Sequence, residues 1–161
     1  MIYTGFRIGE VIALKKSDIH LDEGYIVGGE KTEAGKNRIV PLPPNIPEIT
    51  GFLNDWINES DNERLFPITV SYFRNVYFYK PLIDLGIITG ASSATQGYKF
   101  SGEHHTPHST RHTFASISAA AGMQPENLQK IIGHSDFSTT AEIYVHQDID
   151  TLKQEMAKIK R

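Results

Sequence analysis

The chain has 161 residues, enough for one domain with a core of its own. It carries 39% hydrophobic and 22% charged residues and no cysteine, which excludes disulfides and thiolate metal ligands. Its net charge of -3 does not announce a nucleic-acid binder, and no apolar run approaches the roughly 20 residues that span a bilayer.

No signal peptide is visible, and the absence of cysteine suits a reducing compartment, so a cytoplasmic location is expected. Basic residues gather at Lys15 and Lys16, at Lys31, Lys36 and Arg38, and at Lys153 to Arg161. Charge alone reads these groups as solvated faces.

The first predicted element is a helix over residues 2 to 16, with Arg7, Val11 and Leu14 at i, i+4 and i+7. No cap precedes it, so a natural domain is expected to begin upstream. Residues 24 to 41 read as a hairpin, with "GYIVGG" and "NRIVPL" as β-type runs around the polar "EKTEAGK". Helices are expected from Pro47 to Glu59 and from Val70 to Asp84, with Pro81 kinking or ending the second. Residues 86 to 106 are rich in Gly, Ser and Thr and read as a long loop.

Three short helices follow. One begins near Ser109 and ends before Gly122; the next has Pro125 in its first turn and Gly133 just past its end. The third starts near Ser138 or Thr139, where Thr139 and Glu142 fit a capping box. A last helix covers Ile149 to Lys160, with Ile149, Leu152, Met156 and Ile159 as its apolar stripe. The pattern as a whole is mainly α with a small antiparallel β-sheet, an α+β class.

Two arginines stand where arginines are costly. Arg7 shares a helix face with Val11 and Leu14, and Arg111 shares one with Phe114, Ser118 and Ala121. A buried guanidinium needs a partner, and a cation at a helix N-terminus opposes the dipole. A bound anion relieves both problems. The plainer reading of Arg7 is an internal ion pair with Glu10, three residues on. Two such arginines shift the balance to an anion site, with Glu10 orienting Arg7 rather than neutralising it.

The stretch "HHTPHSTRHTFAS" also admits a metal reading, since His108 and His112 are four residues apart. Arg111 between them would set a positive charge beside the metal, which argues against zinc. His104 and His105 read as loop residues, and His112 as a packing or capping residue. Further on, His134 follows Gly133, and Tyr144 lies ten residues later inside the next helix. A lone tyrosine is ordinarily a core residue with its hydroxyl satisfied.

Five segments in order carry a resemblance: "TGFRIGE" at 4 to 10, "EKTEAGKNRIVPL" at 30 to 42, "HSTRH" at 108 to 112, "GHS" at 133 to 135 and "TTAEIYVH" at 139 to 146. Together they resemble the tyrosine recombinase, or phage integrase, family over nearly the whole chain. H-x-x-R alone is a weak signal; the ordered set is a strong one.

The resemblance implies a tyrosine recombinase catalytic-domain fold. It implies one catalytic domain over residues 1 to 161, truncated at its N-terminus, because the family's N-terminal DNA-gripping domain and first catalytic helices are missing. It casts Tyr144 as nucleophile and Arg7 and Arg111 as the arginines that hold the scissile phosphate. It casts Lys31 as general acid, His108 as base, His134 as a further hydrogen-bond donor and Glu10 in support. The implied substrate is double-stranded DNA, cut and rejoined through a 3′-phosphotyrosine without metal, ATP or other cofactor. Further copies of the chain would assemble on DNA as a synaptic tetramer; no membrane and no small-molecule substrate is implied. The segment 148 to 161 is expected either to dock on a neighbouring subunit or to pack on its own domain.

Other readings stay open. A related topoisomerase would relax DNA by the same tyrosine chemistry. A non-catalytic DNA-binding module could use the short helices after residue 108 as a loose helix-turn-helix. A metal hydrolase would need a divalent ion.

Overall fold

The computed structural model describes residues 1–29, 36–93, 97–100, 105–133 and 149–159. Within them a small three-stranded sheet lies against helices from both ends of the chain. The expected hairpin is present as β2 (Tyr25–Gly28) paired antiparallel to β3 (Arg38–Pro41). Sequence reading missed a third strand, β1 (Ile19–His20), which pairs with β2 to give the order β1-β2-β3. Two residues are too few to show a period of two. Ile26 and Val40 face each other across the β2–β3 ladder, and both are buried. Asn37 enters β3 with a φ of 54°, a left-handed turn conformation that asparagine tolerates.

The expected helix over 2 to 16 is much shorter: α1 spans Ile8–Ala13. Gly5, at a φ of +65°, blocks any earlier start. A cap does exist, because the Glu10 carboxylate accepts the Arg7 backbone N–H at 2.7 Å. After Ala13 the chain turns extended, and the Leu65 backbone N–H donates to the Leu14 carbonyl at 2.9 Å.

Helix α2 (Pro47–Glu59) has the expected bounds, with Pro47 in its first turn. It seats Leu53 in the core and sets Trp56 against Phe66 in a tilted contact, ring centroids 4.9 Å apart. The segment 70 to 84 is helical throughout: α3 (Val70–Tyr72), a π-helical stretch Phe73–Tyr79 and α4 (Lys80–Asp84). Pro81 does not end it. The turns just before Pro81 are widened, the Lys80 N–H reaching the Asn75 carbonyl five residues back.

Residues 86 to 106 are not one long loop. Strands β4 (Gly90–Ser93) and β5 (Gly97–Phe100) pair antiparallel, Gly90 opposite Phe100 and Ser93 opposite Gly97. Small polar residues read as loop, yet the ladder uses only backbone groups, which they possess as fully as any others.

Helix α5 (Pro107–Ala120) starts two residues earlier than expected. Ser109 is not its first residue but its cap partner, accepting the Thr106 N–H at 3.1 Å. Helix α6 (Pro125–Ile132) ends at Gly133, whose φ of 65° closes the last turn. The helix expected near Thr139 lies outside the described residues. Helix α7 (Ile149–Met156) ends short of Lys160, its closing carbonyl at Ala157 accepting from the Asn45 side-chain amide at 2.7 Å. The stripe residues Leu152, Met156 and Ile159 are buried in the chain's own core.

Candidate active site

Arg111 occupies the inner face of α5 with Phe114 and Ser118 and is 3% exposed. One guanidinium nitrogen donates to the Gly5 carbonyl at 2.6 Å, and the other to the Ile132 carbonyl. The Ile132 carbonyl belongs to the last turn of α6, whose carbonyls lack helical partners and carry the negative end of the dipole. Arg38 on β3 serves the same turn, its Nε donating to the Ile131 carbonyl at 2.8 Å. Two arginines from different elements therefore close the end of α6.

Gly5 makes this possible. A Cβ there would lie 2.6 Å from the Phe114 ring and 2.9 Å from Ile132. Only a bare backbone brings the Gly5 carbonyl under Arg111. Arg7 then follows, extended, as the residue that leads into α1. Its side chain is 27% exposed, and its guanidinium bonds the Glu10 carboxylate at 3.0 Å.

Glu10 is shared. Arg38 forks both of its oxygens, at 3.0 and 2.6 Å, with the two side chains 1% and 4% exposed. Burial raises the Glu10 carboxyl, but the hydrogen bonds from Arg38 and Arg7 outweigh it and hold the group below the ordinary carboxylate value. Burial, then Arg7 and Arg38, pull the Arg111 guanidinium down to about 10, so it remains charged at neutral pH. Its two hydrogen bonds go to neutral carbonyls, which use part of its donor set and leave its charge in place. Among the described residues, Glu10 pairs with Arg7 and Arg38, while Arg111 bonds to carbonyls.

His108 stands one turn before Arg111 on α5 and is exposed. Its ring meets that of His112 edge to face at 4.8 Å. Partial burial, then His112, Arg111 and Arg7, lower its pKa, so the ring is neutral at neutral pH and keeps an acceptor nitrogen. Among the described residues, no three His, Asp or Glu side chains come together as metal ligands would.

The structure thus brings Arg7, Glu10, His108 and Arg111 together. Lys31, His134 and Tyr144 lie outside the described residues, as does His104. Sequence reading missed Arg38, which charge alone had assigned to a solvated face. The signal was available: Arg38 and Val40 are two apart on one strand and so share the inward face.

A profile of the phage integrase family matches residues 1–150. The chain belongs to the phage integrase family. It is 31% identical to the tyrosine recombinase XerA of Thermococcus kodakarensis over 98% of this chain and 52% of that protein. To XerD of Vibrio vulnificus it is 29% identical, over 94% of this chain and 48% of that protein. The chain spans about half the length of the curated relatives it matches.

Solved structures place the integrase-family fold on the same footing. A crystal structure of XerA recombinase aligns with a TM-score of 0.57 at 28% identity, over 95% of this chain and 53% of that one. The integrase of mycobacterium phage Brujita aligns at 0.68 over 99% of this chain and 48% of its own, at 16% identity, a likeness of fold. The Tn1549 transposon integrase, in complex with circular intermediate DNA, aligns at 0.62 over 96% and 54%, at 24% identity. The expected fold, mainly α with a small antiparallel sheet, is the fold of these tyrosine recombinase and integrase domains.

Proposed function

We propose that this chain is the catalytic domain of a site-specific DNA recombinase or integrase. It cuts and rejoins strands of double-stranded DNA through a 3′-phosphotyrosine on Tyr144. The observation that carries this reading is the cluster itself: Arg7 is held by Glu10, Arg111 remains charged, and the neutral His108 stands one turn from Arg111. Family membership and a relative whose structure was solved with DNA support DNA as the substrate.

The chemistry follows from residue type. A phosphodiester is already anionic, and more charge collects on its non-bridging oxygens at the transition state. Arg7 and Arg111 grip those oxygens, and His134 adds a hydrogen bond. Tyr144 as a phenol of pKa about 10 is a weak nucleophile, and His108 takes its proton. The leaving 5′-oxygen receives a proton from Lys31. The phosphotyrosine bond conserves the energy of the phosphodiester, so a second strand's 5′-hydroxyl rejoins without ATP. The cationic side chains do the work a metal would do. Further copies of the chain assemble on the DNA as a synaptic tetramer, in the cytoplasm.

The test is a nicked suicide duplex carrying a recognised site, incubated with the protein. A denaturation-resistant adduct is expected with the native residue, and none with Tyr144→Phe. An adduct that persists in Tyr144→Phe overturns the assignment.

A further inference from the structure

We propose that Arg38 is a positioning residue for the anion site: it takes up the charge of Glu10 from the buried side, so that Glu10 orients Arg7 without neutralising it. This rests on the proposed anion site at Arg7 and Arg111.

A carboxylate offers about four lone-pair positions. Glu10 receives two bonds from Arg7, backbone N–H at 2.7 Å and guanidinium at 3.0 Å. It receives two more from the Arg38 fork, at 3.0 and 2.6 Å. The two arginines are not equal. Arg38 is bidentate and 1% exposed, whereas Arg7 uses one guanidinium nitrogen and is 27% exposed. Attraction is stronger where water is excluded, so the carboxylate charge is drawn chiefly to Arg38. Arg7 is aimed by Glu10 through one guanidinium nitrogen and, among the described residues, holds the weaker share of that carboxylate.

Arg38 is itself held in place. Its Nε is tied to the Ile131 carbonyl at 2.8 Å, and its guanidinium lies 4.9 Å from the Phe6 ring centroid. Gly28 stands opposite Arg38 in the β2–β3 register, and a Cβ there would lie 2.5 Å from the Phe6 ring. The bare strand leaves the space in which Phe6 lies beside the guanidinium. Without Arg38, Glu10 would face Arg7 alone, and one carboxylate would cancel one guanidinium.

The experiment is a titration of the 161-residue chain with inorganic phosphate, followed by NMR of the arginine side chains. The Arg7 signal is assigned by its loss in Arg7→Ala. The native chain is expected to show a saturable shift at Arg7. Arg38→Met weakens phosphate binding about tenfold, since it returns a full carboxylate charge to Arg7. Arg38→Lys, which keeps the charge but not the fork, weakens binding less than Arg38→Met does. The double variant Glu10→Gln with Arg38→Met, which removes both charges, binds severalfold more tightly than Arg38→Met but below native, because Glu10 no longer orients Arg7. A merely structural role predicts the opposite for the double variant, which loses more contacts than either single change. Arg38→Met binding like native overturns the inference, as does a double variant as weak as Arg38→Met. If Arg38→Met does not fold, as judged by circular dichroism, Arg38→Lys and the double variant decide: binding weakened about tenfold or more in either overturns the inference. A native chain with no response at Arg7 or Arg111 overturns the anion site itself, and the inference with it.

Discussion

The frame that joins α1, β3, α5 and α6 differs sharply from the outlying segment 70 to 93. In the frame, charged groups are buried and bonded to groups far off in sequence: Arg38 to Ile131, Arg111 to Gly5 and Ile132. In the outlying segment, large apolar groups stand in solvent, Tyr77 at 54% and Leu85 at 73% exposed. Its ion pair, Lys80 to Asp84, is one helical turn long, with both side chains more than half exposed. A cation on the outlying segment obeys local helix rules. A cation in the frame breaks them, because distant carbonyls and a shared carboxylate make its position tolerable. Rule-breaking of that kind is the feature on which the proposed anion site rests.

That contrast can be broken in order of expected effect. Arg111→Ala should lower adduct formation on the suicide duplex by about a hundred- to a thousand-fold, the usual loss for one transition-state donor. Arg111→Lys should recover little, because an ammonium cannot reach the Gly5 and Ile132 carbonyls as a fork does. Glu10→Ala should cost about 3–5 kcal/mol in a urea melt, since it strips the carboxylate from a buried arginine. Gly5→Ala should cost about 1–3 kcal/mol in the same measurement from the forced contact with Phe114, with backbone strain added. A loss below about 0.5 kcal/mol at either position would show the frame to be slack.

The titrating groups give a smaller and directional effect. Glu10 is held below its ordinary value of 4.5, so its contribution to stability is present above that pH and is lost as pH falls through its lower folded value. His108 is lowered from 6.5, so adduct formation should hold from neutral pH down to 6.5 and decline only below it. A rate that is already halved at pH 6.5 would remove His108 as the base. The smallest effect belongs to the outlying segment. Lys80→Ala should change stability by less than about 0.5 kcal/mol, and a larger loss would erase the difference between the two regions.

How much was legible in the sequence varies by element in the same way. Helix α2 was legible to its last residue, because Pro47 and an apolar period mark it locally. Helix α6 was legible for the same reason, with Pro125 and Gly133 at its ends. Helix α1 was not, since a short apolar period continues past the point where Gly5 turns left-handed. The β4–β5 pair was not, because its residues carry no strand pattern. In the site, Arg7, Arg111, His108 and Glu10 were legible by type and spacing, and the structure brings them together. Arg38 was overlooked because net charge says nothing about which face of a strand a cation occupies.

The amino-acid order by itself determined the family and the helical class, since these depend on motif order and local periodicity. Only the tertiary structure decided which charges are spent and which remain. The Glu10 carboxylate takes its principal partner from a strand 28 residues away, and Arg111 takes its carbonyls from points 106 and 21 residues away. Charge compensation depends on distance in space and on the exclusion of water, and neither is a property of position along the chain.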